Sequence, residues 1–369
     1  MMREYIDGNE AIVRGALAAG CDFFAGYPIT LASSILVHLL RELPRIGGVG
    51  IQAEDEIAAL GMCIGASMAG RKAMTATSGP GLSLMSEHIG LAIMGEVPVV
   101  IVDAQRMGPA TGGATTVSQG DVQFARWVTP GGYPMVVLCP SSVAECYGLT
   151  VQAFNIAERL RTPVILLADK DICTTLSTVD AGVFAALPVE QRVAASPGPF
   201  TPYRYVPSAA IPAFAAMGGV QIVRFTGSSH DERGHLTKNP TSVGRLNQHL
   251  RAKIDARRDE LSLLITDVQP GAQTVVISYG TSAGAMREAA AQARRQGRAV
   301  STVTVQSLWP VPEKAIVEAL GQARRVIVAE LNMGQYRREI ERLAGGREVI
   351  GVNRVDGELI SPQDILARL

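Results

Sequence analysis

Short runs rich in β-branched residues alternate with longer amphipathic stretches along most of this chain, and few folds satisfy that alternation. "CDFFAGYP" predicts a strand running into a loop, and "LASSILVHLLREL" carries its apolar residues at helical spacing. "RKAMTATSG" reads as the next strand, "LSLMSEHIGLAIMG" as a helix and "VPVVIVDAQ" as a strand buried on both faces. "MVVLCPSS", "VAECYGLTVQAFNIAERLR" and "TPVILLADK" continue the series as strand, helix and strand. The succession predicts an α/β fold built on a parallel sheet.

The character changes after the last of these strands. "AASPGPFTPYRYVPSAAIPAF" is proline-rich and irregular, and "TGSSHDERGHLTKNPTSVGR" is full of turn residues. A charged helix, "NQHLRAKIDARRDEL", follows. The segment is too long for an ordinary loop and predicts a connector with structure of its own. Beyond it "AQTVVISYGTSAGAMREAAAQARRQG", "AVSTVTVQSLWPVP" and "RRVIVAELNMGQYRREIERLAG" return to the βα pattern. The expected division is therefore a first domain over 1–188, a connector over 189–262 and a smaller domain over 263–369. The sequence shows no internal repeat.

Composition removes several function classes. Hydrophobic residues make up 47% and charged ones 18%, a balance suited to large buried surfaces or a subunit interface. Lys plus Arg and Asp plus Glu number 34 each, so nothing steers the chain toward nucleic acid or an anionic membrane. No apolar run reaches the roughly 18–20 residues of a membrane span, and the N-terminus lacks a signal-peptide block. A cytoplasmic protein is expected. Cys21, Cys63, Cys139, Cys146 and Cys173 never take the C-x-x-C spacing of a metal or redox site, and read as small buried hydrophobes. His230 and His235 lie in the polar connector without metal-ligand spacing.

There is no G-x-G-x-x-G after a strand, no Walker loop and no H-E-x-x-H. What remains is a set of loops at the ends of predicted parallel strands, where open α/β sheets bind ligands. These are "GYPIT" (26–30), "AEDE" (53–56), "TSGPG" (77–81) and "DAQRMGPATGG" (103–113). Each one alone is explained by turn chemistry or by acids at a helix start. Four in this order ask for more.

Those loops, with "EDEIAALGMCIGASMAG" and "QGD", resemble the pyrimidine-binding domain of the 2-oxoacid:ferredoxin oxidoreductases. "GTSAG", "LWPVPEKAI" and "VAELNMGQ" are similar to that family's transketolase C-terminal-like domain. The resemblance spans nearly the whole chain and is nearest to alpha subunits of the branch that uses 2-oxoglutarate. Three departures stand out. Leu31 follows the threonine where the family usually has proline. Ala110 replaces the usual serine of "GPSTG", and "TTVSQ" lacks the lysine and glutamate of the usual "TKTEQ".

The resemblance implies thiamine diphosphate, whose aminopyrimidine needs a carboxyl partner to reach its imino tautomer. In that superfamily the acid lies nine residues before a glycine, and counting back from Gly65 gives Glu56. Glu54 and Asp55 are expected to cap the helix or lie in solvent, while Gly61 and Gly65 permit another backbone to come close. Tyr27, Pro28, Ile29, Thr30, Thr77, Ser78 and Gly79 are expected around the cofactor. Thr30 and Arg106 are expected on the substrate, the guanidinium gripping a carboxylate. A structural ion pair between Arg106 and Asp103 is the alternative.

The chain has no G-D-G diphosphate motif and no metal ligands of its own. The resemblance therefore implies a beta subunit carrying the diphosphate site, Mg²⁺ and a 4Fe–4S cluster, with coenzyme A as co-substrate and ferredoxin as electron partner. The implied assembly is a dimer of alpha-beta heterodimers. The implied reaction is oxidative decarboxylation of 2-oxoglutarate to succinyl-CoA, or its reverse as CO₂ fixation. A pyruvate or branched-chain 2-oxoacid enzyme and a non-catalytic scaffold subunit are the alternatives.

Overall fold

The computed structural model describes residues 2–369. Its strands are β1 (Arg3–Ile6), β2 (Phe23–Gly26), β3 (Val49–Gln52), β4 (Ala73–Thr77), β5 (Val99–Gln105), β6 (Val136–Leu138) and β7 (Pro163–Asp169). The chain continues through β8 (Ser177–Asp180), β9 (Leu264–Asp267), β10 (Thr274–Ser278), β11 (Val300–Val305), β12 (Ser307–Trp309), β13 (Arg325–Glu330) and β14 (Glu348–Asn353). A seven-stranded sheet has the order β12-β6-β7-β5-β4-β2-β3, and a five-stranded sheet the order β14-β13-β10-β11-β9. The parallel α/β architecture expected from the alternation is present. β1 and β8 form a separate antiparallel pair that the pattern did not reveal.

β4, β5 and β7 are buried at every position, as uninterrupted apolar runs should be. Helices cover both faces of the larger sheet. On one side Gly8–Ala18, Ser33–Glu42 and Val143–Leu160 pack Ile12, Ile35, Leu39 and Phe154 against it. On the other lie Glu56–Met68, Gly79–Leu84 and Ser86–Met94, and that core runs on without a break into Ile277, Tyr279, Val303 and Val328 of the second sheet. The single helix read from "LSLMSEHIGLAIMG" is two, meeting at Met85.

The stretch "AVSTVTVQSLWPVP", expected to continue the βα pattern of the second domain, divides between the sheets. β11 stays in the second, while β12 crosses back and pairs antiparallel with β6 in the first. The division at 262/263 is thus one of chain order, and the sheets interlock across it. The connector carries the helix Pro240–Asp255 and is fastened by buried ionic contacts. Glu96 meets His249 Nε2 and Lys253 Nζ, each at 3.0 Å. Arg161 donates to the carbonyl oxygens of Pro212 and Ala213, and Arg192 pairs with Glu158 at 2.6 Å.

Candidate active site

The parallel strands of the larger sheet all end at one edge, and the loops singled out in the sequence leave from there. Tyr27, Pro28 and Thr30 are exposed after β2, with Ile29 half-buried. The Thr30 carbonyl accepts from Ser78 Oγ at 3.0 Å and from Arg106 Nη1 at 3.4 Å, so three loops meet on one oxygen. Leu31 follows with φ 87°. A proline ring fixes φ near −65°, so the replacement of the family's usual proline goes with a left-handed turn that proline could not make. A non-glycine side chain there costs roughly 1–2 kcal/mol.

Glu56 is the first residue of the helix Glu56–Met68. Asp55 caps it, its carboxylate accepting from Ala58 N at 2.7 Å, and Glu54 is exposed. Glu56 itself is only 6% exposed, and its carboxyl takes no hydrogen bond from another described residue. The reason it fits lies across from it. A Cβ on Gly81 would sit 2.0 Å from Thr77 Oγ1 and 2.8 Å from Glu56 Oε1. Gly81 therefore leaves the room in which the carboxyl and the Thr77 hydroxyl lie. The close backbone approach expected at Gly61 and Gly65 is not made among the described residues. A Cβ on Gly61 would lie 3.4 Å from the His88 ring, and one on Gly65 would meet nothing within 4 Å. Both glycines belong to an outward helix face.

Arg106 is 6% exposed. Among the described residues no carboxylate oxygen comes within the 4.0 Å of an ion pair, so the expected alternative of a contact pair with Asp103 is not formed. Two acids do lie near it. Asp103 ends deep in β5 with no exposure, and neither carboxyl oxygen has a partner. Asp121 Oδ2 is likewise buried and unpartnered, and its carboxyl fills the space that a Cβ on Gly79 would enter at 2.8 Å. Gly79 and Ser78 start the helix Gly79–Leu84, and Thr77 closes β4 beside Asp103. In sequence Asp103 stands out only as the expected partner of Arg106, and Asp121 only as the last residue of "QGD". Asp103 interrupts an apolar run and Asp121 sits in a short polar turn.

Behind this cluster a polar network spans the two sheets. Asp169 accepts from Gln105 Nε2 at 2.6 Å, Gln119 Nε2 at 2.7 Å and Thr281 N at 2.6 Å. Gln119 Oε1 accepts from Ser282 Oγ and Leu331 N. Burial pushes the Asp169 carboxyl up to about 7 against the pull of those donors.

Residues 14–245 match the family described as pyruvate flavodoxin/ferredoxin oxidoreductase, thiamine diphosphate binding, and residues 272–365 match pyruvate:ferredoxin oxidoreductase core domain II. The 2-oxoglutarate synthase subunit KorA of Methanothermobacter marburgensis is 42% identical, over 100% of this chain and 99% of its own. The ketoisovalerate oxidoreductase subunit VorB of Methanothermobacter thermautotrophicus is 34% identical, over 100% of this chain and 97% of its own. Among solved structures, the 2-oxoglutarate:ferredoxin oxidoreductase from Magnetococcus marinus superposes with a TM-score of 0.94 at 32% identity. That match covers 99% of this chain and 64% of the longer one. With the fold, the loops at the sheet edge and both family matches in agreement, the chain belongs to the thiamine-diphosphate-binding pyruvate flavodoxin/ferredoxin oxidoreductase family.

Proposed function

We propose that the chain is the alpha subunit of a 2-oxoacid:ferredoxin oxidoreductase. In this reading it helps convert 2-oxoglutarate, coenzyme A and oxidised ferredoxin to succinyl-CoA, CO₂ and reduced ferredoxin, or runs the reverse. The observation that carries it is Glu56: a buried carboxyl with no hydrogen-bond partner among the described residues, in a space left open by Gly81. Burying such a group is costly unless something bonds it. An aminopyrimidine ring nitrogen is the partner that the family supplies, and the exposed Tyr27, Pro28 and Thr30 with Ile29 give it a wall.

Thiamine diphosphate, when bound, supplies the carbon nucleophile that adds to the 2-oxoacid carbonyl and accepts the electrons left by decarboxylation. This chain's residues do the rest on their side of the cavity. Glu56 holds and returns a proton at the pyrimidine nitrogen, a general acid–base task. Thr77, Ser78 and Gly79 shape the floor beneath it. Arg106 binds the substrate carboxylate with a guanidinium free of contact ion pairs, and the Thr30 hydroxyl donates from the opposite loop.

The reading assigns the diphosphate site, Mg²⁺ and a 4Fe–4S cluster to a beta subunit, in a dimer of alpha-beta heterodimers. Support here is the outward face of the Glu56–Met68 helix, where Ile57 is 42% and Met62 40% exposed beside the neighbourless Gly65. Such a face suits a partner's backbone. All five cysteines are free and buried, which suits a reducing, cytoplasmic setting. The higher identity to a 2-oxoglutarate synthase subunit than to a ketoisovalerate subunit favours 2-oxoglutarate. The test is to purify the chain with its native partners and measure thiamine content and CoA-dependent dye reduction with 2-oxoglutarate, pyruvate and 3-methyl-2-oxobutanoate. The highest kcat/KM is expected for 2-oxoglutarate. A complex that contains thiamine diphosphate but turns over none of the three would refute the proposal.

A further inference from the structure

Asp103, Asp121 and Arg106 gather at the substrate side of the site, and the chemistry described so far uses only the arginine. Register pairs Asp103 with Thr77, so both side chains leave the sheet on the same face, where Thr77 and Glu56 share the room left by Gly81. Asp121 comes from the following loop and presses on Gly79. Asp103 Oδ1 and Oδ2, Asp121 Oδ2 and Arg106 Nε are all buried without a hydrogen-bond partner. Buried polar atoms are nearly always partnered in native proteins, so four unmet atoms in one cluster mark a place where something else binds.

Charge decides what that is. With both carboxylates ionised the cluster carries one net negative charge and repels an anion. With one proton it is neutral. With two, the arginine's charge is free for an incoming carboxylate. Burial, then the Asp121 charge, pushes Asp103 well above the ordinary carboxylate range against the pull of Arg106. Burial likewise pushes Asp121 up to about 6, again against Arg106. The other titratable groups nearby are the buried Cys173 thiol, which senses Asp103, Glu56 across Gly81, and Asp169, which touches the cluster through Gln105.

We propose that Asp103 and Asp121 are positioning residues that set the anion affinity of Arg106: protonated, they leave its charge to the substrate carboxylate, and ionised Asp121 competes with that carboxylate. Binding a 2-oxoacid is then coupled to proton uptake by the pair. This deepens the function proposed above and rests on it.

The test uses the assembled complex. Affinity for 2-oxoglutarate is measured across about pH 5 to 8, with kcat followed separately. In the wild type the dissociation constant should weaken by up to about tenfold per pH unit above the Asp121 midpoint, the limit for one linked proton. Asp121→Asn should flatten that slope and bind more tightly at the alkaline end, with its effect in KM and little in kcat. An unchanged slope in Asp121→Asn overturns the inference while leaving the function standing. A complex that neither binds nor turns over any 2-oxoacid overturns both. If Asp121→Asn does not assemble, calorimetry of 2-oxoglutarate binding to the Glu56→Gln complex in two buffers of different ionisation enthalpy decides. Proton uptake near pH 7 supports the coupling, and its absence overturns it.

Discussion

Glu54 and Glu56 stand two positions apart and meet opposite surroundings, one in solvent and the other against Gly81. Glu56→Gln should therefore leave the complex folded and lower turnover by at least about a hundredfold, as loss of a general acid–base group does. Thiazolium proton exchange, followed by NMR, should slow in parallel. Glu54→Gln should keep most activity. Arg106→Ala should retain cofactor and lose roughly 2–4 kcal/mol of transition-state binding, about 30- to 1000-fold in kcat/KM for 2-oxoglutarate. Lysine should rescue only in part, since it keeps the charge but loses the planar fork. Measuring Tm and kcat/KM on one preparation separates lost substrate contact from lost folding. The places of Glu56, Thr30 and Arg106 at the sheet's edge were legible because a loop at a strand's end and a charge after an apolar run leave marks in sequence, while the choice of Glu56 among three acids came from the family's spacing to Gly65. Asp103 and Asp121 were marked only as an ion-pair candidate and as the end of "QGD", with nothing to bring them together. A buried acid has no period, and its meaning comes from neighbours brought in by other loops.

At the level of elements, the connector shows how far a pattern reaches. Its proline-rich stretch and charged helix were evident, yet the Glu96–His249–Lys253 cluster that fixes the helix was not, because its members lie about 150 residues apart in the chain. Burial raises the Glu96 carboxyl, but Lys253, the His249 bond and Arg161 outweigh it and hold the carboxyl well below its ordinary range. A depressed carboxylate contributes stability above its unfolded value and loses it as pH falls. Glu96→Gln strands the buried Lys253 and should cost about 3–5 kcal/mol at neutral pH. The gap to wild type should begin to close below about pH 5 in urea titrations and keep narrowing as pH falls toward the depressed folded value. The Glu56–Met68 helix gives a complementary case. A Cβ at Gly65 would meet nothing within 4 Å and the position is exposed, so Gly65→Leu should leave the isolated chain's Tm within a few degrees of wild type. The same change should prevent co-purification of the proposed beta subunit.

At the scale of the whole molecule the two sheets behave as one body. They share a continuous core, Gln119 and Asp169 bond across the seam, and β12 belongs to the sheet that the chain seemed to have left. None of this was readable from "AVSTVTVQSLWPVP", which reads as part of one βα unit because the three residues of β12 are too few to show a period of their own. A fragment ending at 262 should consequently fail to give a soluble monomer, and the full chain should unfold in one calorimetric transition. Two well-separated transitions would contradict this. The borrowed strand also puts a clock on biosynthesis. Trp309 emerges about 140 residues after Asp169, and at roughly 5–20 residues per second the β6 edge stays uncovered for about 7–28 seconds while the ribosome works. An open edge invites pairing with another chain. β6 is only Val136–Leu138, and so short an edge gives a neighbouring nascent chain little to grip during that wait.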